Sequence, residues 1–327
     1  MDGKTIVYMI LTSIVVFSAI FFISDARNVL EVWSKIELKY LIAACLFEVA
    51  SIFTFFLRWR FILIKSKISF SNLKLLLISM SGIAFSNLTP SSRFGGEPTR
   101  AYFLKKHSDS SGTKALASVV GERVFDGFVF TFLCGAILAY YLVKDPFNLI
   151  ILPVLLSFLF SVSLILITIH ASNKQKFAER IVFFFLKIFS KILKKNYPKN
   201  LLRKDIKKYQ EEFKRIIKNK ELWVCGLLYS CVLWLLDIFK LWLIFQAVNL
   251  NVNFFVIAYA LIFASLLAAI PLLPGGLGVF ESTMIIIYMA NGLTLSISGS
   301  VTIIHRIITL WMPTLLGLIA SYLLIKK

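Results

Sequence analysis

The 327-residue chain has few of the residues on which soluble enzymes and disulfide-rich proteins depend. It contains four cysteines, with no CxxC pair, and three histidines, and no Cys/His group has the spacing of a metal site. Charged residues make up 16% of the chain, against roughly 25% in a soluble domain. Walker, H-E-x-x-H and G-x-S-x-G sequences do not occur. These deficits exclude a disulfide scaffold and an ordinary cytosolic enzyme, and we expect no cofactor, metal or catalytic group.

Apolar residues, in contrast, are abundant. They make up 58% of the chain, and the mean hydropathy is +0.82. One water-soluble core cannot bury so much apolar surface, so we expect a single membrane domain over 1–327 with an all-α, polytopic fold. The predicted apolar segments are Thr5–Ile23, Tyr40–Leu57, Leu73–Leu88, Ala101–Leu104, Ala115–Val143, Phe147–His170, Leu222–Val248, Phe254–Ile270, Ser282–Ala290 and Ile297–Ile325.

The chain has a large excess of basic residues, 36 Lys and Arg against 17 Asp and Glu. They concentrate in segments 58–74, 93–114 and 171–220 and at Lys326-Lys327. By the positive-inside rule we expect a multi-pass protein of the cell membrane with both termini and segment 171–220 in the cytoplasm. Nucleic-acid binding is not expected, because the segment lacks a motif fold.

Segment 171–220 also has an amphipathic pattern. Its apolar residues recur at helical spacing, while Lys187, Lys191, Lys194 and Lys195 fall largely elsewhere. The apolar positions are Phe177, Ile181, Phe184, Phe185, Ile188, Phe189 and Ile192. The pattern predicts an interfacial helix that binds anionic lipid, followed by a charged, solvent-facing helix over Asp205–Lys220. A plain orientation signal is the alternative.

Two proline- and glycine-rich breaks, at 89–100 and 271–281, have matching surroundings. Each lies between a helix that carries charge and a later helix that carries arginine. This order of features predicts an internal repeat, with repeat one over 40–143 and repeat two over 221–325.

The charges beside the breaks predict their direction. Both flanks of the first break are basic, whereas 249–253 and 291–296, beside the second, carry no charge. The first hairpin should therefore enter from the cytoplasm and the second from the opposite face. We expect about six crossing helices plus two oppositely oriented re-entrant hairpins, which together form an inverted repeat. Eight plain crossings are the alternative, and they place the basic segment 93–114 outside.

Charged residues inside apolar segments mark the candidate site, because a charge at the bilayer centre costs about 2.5–3.5 kcal/mol or more. Glu122 and Asp126 share a helix face, and Asp237 and Lys240 are spaced for a local ion pair. Glycine amides and arginine forks suit a phosphate-bearing headgroup; structural ion pairs are the alternative. The candidate substrate-binding residues are Arg93, Gly95, Gly96, Glu97, Arg100, Glu122, Arg123, Asp126, Asp237, Lys240, Gly275, Gly276, Glu281, His305 and Arg306.

Three ordered motifs carry a family resemblance that covers essentially the whole chain. They are Thr89-Pro90 with Gly95-Gly96-Glu97-Pro98-Thr99-Arg100, then Gly121-Glu122-Arg123-Val124-Phe125-Asp126, then Pro274-Gly275-Gly276-Leu277-Gly278-Val279-Phe280-Glu281. The chain resembles the membrane domain of the lysylphosphatidylglycerol synthase/flippase family and its stand-alone relatives. The resemblance implies movement of a lipid between leaflets. Two-part members add a soluble aminoacyl-transferase domain, which this sequence lacks, so lipid aminoacylation is not expected.

Three functions remain open at this stage. The first is a flippase for a phospholipid or lipid-linked headgroup, with membrane lipids as its partners. The second is an integral-membrane enzyme acting on a lipid phosphate, with Glu122 and Asp126 as acid and base. The third is a non-catalytic partner of lipid- or glycan-synthesis enzymes, docked through segment 171–220.

Overall fold

The computed structural model describes residues 3–89, 95–145, 147, 150–180, 199–270 and 273–326, which form helices and the turns between them. The predicted all-α, polytopic membrane fold is confirmed. The helices are α1 (Gly3–Ile23), α2 (Ala26–Ser34), α3 (Leu38–Lys65), α4 (Asn72–Leu88), α5 (Gly96–His107), α6 (Gly112–Lys144), α7 (Ile151–Asn173), α8 (Lys199–Lys218), α9 (Lys220–Ala247), α10 (Phe254–Leu267), α11 (Val279–Ala290), α12 (Leu295–Arg306) and α13 (Met312–Lys326).

The long helices supply the membrane crossings. In the described part of the chain, α3, α6, α7 and α9 are long and apolar enough to span, as is the continuous helix Leu295–Lys326. That last span joins α12 to α13 through a π-helical turn at Ile307–Trp311. Helix α1 has 21 residues, which corresponds to about 31 Å and is enough for a sixth crossing.

Four apolar helices are shorter than a usual membrane span. Helix α4 has 17 residues, α10 has 14, and α5 and α11 have 12 each. At 1.5 Å per residue they reach about 18–26 Å, less than the roughly 30 Å of the hydrocarbon core. Helix α4 packs against α5, and α10 packs against α11. Each pair is a re-entrant hairpin, so the eight-crossing alternative is wrong.

Both returning arms begin earlier than predicted. Helix α5 starts at Gly96 instead of Ala101, and α11 starts at Val279 instead of Ser282. A proline is tolerated in the first turn of a helix, where its missing N–H is not needed, so Pro98 does not delay α5. As a result, Glu97 and Glu281 both lie in the first turn of a returning arm, where the helix dipole favours a carboxylate.

The last span shows where the first hairpin enters. The side-chain amide of Asn87, near the hairpin tip, donates to the Leu310 carbonyl at 3.2 Å and to Thr314 Oγ1 at 2.9 Å. Farther along the span, Gly317 lies against Met80 of α4. Helix α4 therefore runs antiparallel to the C-terminal half of the span, and its tip reaches the middle.

The second hairpin reaches the same point from the other end. Its returning arm α11 ends at Ala290, and a short turn leads into the start of the last span. At its tip, the Gly275 amide donates to the Thr89 carbonyl at 3.4 Å. Gly275 has φ +60°, and a Cβ there would lie 2.9 Å from the Asn87 carbonyl oxygen, so this contact requires glycine. The two hairpins are thus oppositely oriented and meet at mid-span; the repeat boundaries remain predictions.

The basic segments share one face of the molecule. Lys65, at the end of α3, forms an ion pair with Glu221 at the start of α9. His107, at the end of α5, lies against the backbone of Leu324. On the opposite face, the Glu37 amide donates to the Ala247 carbonyl at 2.9 Å. The contacts thus place these basic segments on one face; that this face is the cytoplasmic one remains a prediction.

Helix α8 corrects the prediction of a solvent-facing helix over Asp205–Lys220. The apolar residues of α8 form one face of the helix. Phe213 and Ile216 on this face are buried against α6. Burial, with a contribution from nearby Glu97, raises the pKa of the Tyr209 phenol above its ordinary value. Helix α8 therefore lies beside the start of the first hairpin's returning arm. The predicted interfacial helix falls mostly on 181–198, outside the described residues.

Candidate functional site

A cavity of about 270 Å³ lies between α3, α4, α5, α6 and α9. Its depth is set by the first hairpin, whose tip reaches mid-span and contributes Gly96 and Glu97. Three cationic and three anionic side chains line it, all from spanning or re-entrant helices. They are Arg58, Glu97, Arg100, Arg123, Asp126 and Asp237. All of these except Arg58 are candidates predicted from the sequence.

Close contact between the hairpin arms positions the α5 residues. A Cβ on Gly96 would lie 2.1 Å from the Gly82 carbonyl oxygen, so the arms touch through their glycines. The Gly96 amide donates to Ser86 Oγ at 3.1 Å, so this N–H is directed to the neighbouring arm. Gly95 precedes α5 and lies against Thr89. Arg93 is outside the described residues.

Arg58 is the central cation of the cavity. Its side chain is 1% exposed and forms a two-point hydrogen-bonded ion pair with Asp126, whose second contact, Nη2 to Oδ2, is 3.2 Å. Ser230 joins this pair: Arg58 Nη1 donates to Ser230 Oγ at 2.7 Å, and Ser230 Oγ donates to Asp126 Oδ1 at 3.0 Å. Arg58 Nε also lies 3.7 Å from Glu122 Oε1.

Arg58 is missing from the predicted candidates because the predicted apolar segment ends at Leu57 and leaves Arg58 in the basic segment 58–74. Helix α3 continues to Lys65, which puts Arg58 two turns inside the helix. The apolar run Phe61–Ile64, directly after Arg60, was the signal that could have extended the span. Glu48, a charged residue within the predicted apolar segment Tyr40–Leu57, is not among the predicted candidates.

Arg123 attaches the first hairpin to α6. Its Nε donates to Glu97 Oε1 at 2.5 Å, and its Nη1 lies 3.6 Å from Asp126 Oδ2. The side chain of Arg123 is 31% exposed. Arg123 therefore pairs with Asp126, which is the structural alternative that the sequence left open, and it also pairs with Glu97 on the hairpin.

Arg100 is buried but incompletely paired. It is 2% exposed, and its Nη1 donates to Glu122 Oε2 at 2.7 Å. Its guanidinium carbon lies 4.5 Å from the ring centroid of Phe55 and 4.0 Å from that of Trp59, which is cation–π geometry. Within the described part of the chain, Nε and Nη2 have no hydrogen-bond partner. These two atoms form one edge of the guanidinium fork, the edge that binds phosphate or carboxylate through two parallel bonds.

A second charge cluster borders the cavity. The predicted pair is present, with Lys240 Nζ donating to Asp237 Oδ1 at 2.8 Å. Lys240 also hydrogen-bonds Glu48 of α3, a partner that the sequence did not indicate. Lys240 is 1% exposed, whereas the side chain of Asp237, which lines the cavity, is 44% exposed.

The candidates of the second hairpin form a separate group that does not line this cavity. Arg306 Nε donates to Glu281 Oε1 at 2.5 Å, and its Nη2 donates to the Gly275 carbonyl at 2.6 Å. Gly276 has φ +66° and packs on Ala268. The His305 ring stacks on Phe280, with ring centroids 5.7 Å apart. In both halves, a glutamate in the first turn of a returning arm pairs with an arginine of the following span.

A larger cavity, of about 460 Å³, lies between α6 and α7. It is lined almost entirely by apolar side chains, among them Phe128, Phe132, Phe158 and Leu166. It lacks the polar groups that would orient a headgroup, so the smaller charged cavity is the candidate site. Helix α6 forms a wall of both.

Comparisons with known proteins point to one family. The family model described as the lysylphosphatidylglycerol synthase TM region matches residues 9–317. A UPF0104 membrane protein of Methanothermobacter thermautotrophicus is 31% identical over 315 residues, covering 95% of this chain and 93% of that protein. UPF0104 membrane proteins of Pyrococcus horikoshii and Methanocaldococcus jannaschii are each 29% identical, covering 89% and 88% of this chain and 89% and 85% of their own lengths.

Proposed function

Because the chain belongs to the family of the lysylphosphatidylglycerol synthase transmembrane region, we propose that it moves a lipid with a phosphate-bearing headgroup between the leaflets of the cell membrane. The observation that carries the proposal is Arg100. Its free donor edge belongs to a buried side chain that lines a cavity at membrane depth. A buried, unsatisfied guanidinium edge is costly, so a phosphate that accepts two hydrogen bonds there is favoured.

The charges around the cavity favour a phosphate held by exchangeable contacts. Its lining cations and carboxylates are equal in number, so it has no large excess of positive charge to trap an anion. The phosphate would take the unpaired edge of Arg100 while Nη1 stays on Glu122. A carrier must bind its substrate and also release it, and such balanced contacts allow both.

The size of the cavity matches a headgroup and not a whole lipid. Its volume of about 270 Å³ lies just below the approximately 300–1,000 Å³ of pockets for drug-sized ligands. The hydrocarbon chains would stay in the bilayer. The apolar cavity between α6 and α7 offers one of them a place beside the same helix wall.

Opening and closing would involve the hairpin tips. An amide–carbonyl hydrogen bond between Gly275 and Thr89 joins tips that enter from opposite faces. Oppositely oriented broken helices that meet at mid-span are typical of carriers with alternating access. We propose that separation of the tips opens the cavity first to one leaflet and then to the other, while Glu97–Arg123 keeps the first hairpin on α6.

The test uses purified protein in vesicles that contain no other protein. We expect rapid leaflet exchange of acyl-labelled phospholipids and little exchange of a glycolipid without phosphate. Arg100→Lys should abolish most exchange, because a point charge lacks the two-donor edge. Arg215→Lys is the matched control, since Arg215 is 74% exposed on α8.

The same vesicles separate the other functions. We propose that the lipid leaves the protein chemically unaltered, which mass spectrometry of the recovered lipids would show. A modified lipid would support the enzyme alternative. Exchange only after addition of lipid- or glycan-synthesis enzymes would support the partner alternative. Equal exchange by the wild type and Arg100→Lys would remove Arg100 from the binding site.

A further inference from the structure

Glu48, Lys240 and Asp237 form a buried cluster with uneven charge. One ammonium group is hydrogen-bonded to two carboxylates that come from different helices. With all three groups ionised, the cluster has a net charge of −1. An uncompensated charge at membrane depth is costly, and a proton on one carboxylate removes it.

The two carboxylates differ in their access to solvent. The side chain of Glu48 is 8% exposed, while that of Asp237 is 44% exposed and lines the headgroup cavity. The charge of Asp237 can be hydrated, so the proton belongs on Glu48. The other titratable groups nearby are Cys45, one turn earlier on α3, and His305 on α12, which interacts electrostatically with Lys240.

A polar stripe on α12 ends at His305, the residue that interacts electrostatically with Lys240 of this cluster. Ser298, Thr302 and His305 are spaced i, i+4 and i+7, which places them on one face of the helix. All three are buried, and Ser298 Oγ, Thr302 Oγ1 and His305 Nδ1 have no hydrogen-bond partner within the described ranges. The hydroxyl of buried Tyr288, on the adjacent α11, is also without one there.

Such a row of unpaired polar atoms needs an explanation, because the large majority of buried side-chain polar atoms in proteins are hydrogen-bonded. Helix α12 begins at Leu295, on the face opposite the basic segments, and the stripe descends from that end to His305. These side chains stand about one helical turn apart, so a bridging water between neighbours would complete their hydrogen bonds and connect them for proton passage.

We propose that Glu48, held by Lys240 beside Asp237, is the binding site of a proton that enters along the α12 stripe and moves together with the lipid headgroup. The proton comes from water at the face where α12 begins and adds to a Glu48 carboxylate oxygen. This inference rests on the proposed lipid movement for its coupling, although proton binding itself does not.

Electrostatics connects the two ligands through Asp237. When Glu48 is protonated, Lys240 pairs with Asp237 alone, and the cluster no longer repels a phosphate in the neighbouring cavity. When Glu48 is ionised, the net negative charge opposes that phosphate. Proton and phosphate therefore favour each other's binding, and by linkage a proton gradient biases lipid movement in the direction of proton flow.

The first experiment measures leaflet exchange of the phospholipid in protein-containing vesicles with and without an imposed pH gradient. We expect the gradient to raise exchange about fivefold or more, the lower end of typical coupling. In Glu48→Gln the ratio of the two rates should fall to one. Glu31→Gln is the matched control, because Glu31 is exposed on α2, and it should keep the wild-type ratio. A rate of leaflet exchange that a pH gradient does not change, or that a sodium gradient raises instead, would overturn the proposal.

The second experiment does not depend on lipid movement. Infrared spectra of the purified protein should contain the carbonyl band of a protonated carboxyl group, and this band should shift in deuterated water. The Glu48→Gln spectrum should lack the band, and the Glu31→Gln spectrum should keep it. Identical bands in the wild type and Glu48→Gln would overturn the proton site. A Glu48 band together with an absence of lipid exchange would instead reject the proposed function and leave the proton site supported.

Discussion

Replacement of Arg58 by methionine is the sharpest test of the buried charge network. Methionine fills the space of the arginine stem without a charge, so that, among the described residues, Asp126 would keep Ser230 and the 3.6 Å contact with Arg123. Removing one partner of a buried ion pair typically costs 3–5 kcal/mol. Because Arg123 still partly compensates Asp126, we expect a loss near the lower end, about 3 kcal/mol of unfolding free energy.

A double-mutant cycle isolates the pair from other effects of the substitution. Asp126→Asn removes the opposite charge and leaves an amide that can still bond Ser230. In the double variant no unpaired charge remains at this point, so it should be more stable than Arg58→Met alone. We expect a coupling energy of about 2 kcal/mol, within the range of about 0.5–3 kcal/mol for residues in contact.

The assay is reversible unfolding in mixed detergent micelles, followed by far-ultraviolet circular dichroism. Arg60→Met is the matched control, because Arg60 lies on the same helix and makes one partly exposed hydrogen bond to Asn72 at 2.9 Å. It should cost no more than about 1 kcal/mol. If Arg58→Met costs as little as Arg60→Met, or if the two cycle mutations are additive, the reasoning about the pair is wrong.

The remaining predictions concern the hairpin, α6 and the topology. Gly82→Ala places a Cβ 2.4 Å from Cγ of Arg100, so it should displace that side chain and reduce phospholipid exchange, with a stability loss of about 1–3 kcal/mol from overpacking; retained exchange would contradict this. Arg123→Lys should stay monodisperse in detergent and lose less exchange than Arg100→Lys, because the Nε of Arg123 already serves Glu97; an equal loss would place Arg123 in the binding site. Single cysteines, with native ones replaced, should label from the cytoplasm at Ser110 and from outside at Asn291, and labelling of both from one side would refute the opposed hairpins.

The two hairpins were predictable because the length of an apolar segment and the charges that flank it can be read from contiguous sequence. A run of 16 or 17 apolar residues is at or below the lower limit for a transmembrane helix, and the basic or uncharged flanks of each break indicate the face from which it enters. These properties belong to contiguous segments, so the sequence alone predicts two opposed hairpins. The starts of the returning arms were less predictable, since Pro98 interrupts a pattern but not a first helical turn.

The ion pairs within the site were not predictable, because they depend on contacts between residues that are distant in the sequence. Arg100 ends the first break and Arg123 follows it, and nothing in their spacing shows which one keeps unpaired donors. That depends on Glu97, which α5 presents to Arg123, and on the rings of α3 that enclose Arg100. Glu48 and Lys240 are far apart in the chain and meet only because α3 packs along α9.

Each hairpin has an equivalent glutamate–arginine ion pair, but the two pairs differ in their surroundings. Each joins a glutamate of the returning arm to an arginine of the following span, but Arg306 also bonds the Gly275 carbonyl and is almost fully buried. A guanidinium so fully engaged stabilises the tip of the second hairpin and has little capacity for a ligand. The first half has a further arginine, Arg100, with an unpaired edge, and its pair Glu97–Arg123 borders the cavity. On the proposed function, the contacts to the headgroup come from α3, α6, α9 and the first hairpin, while the second hairpin supplies the scaffold against which the first hairpin tip rests.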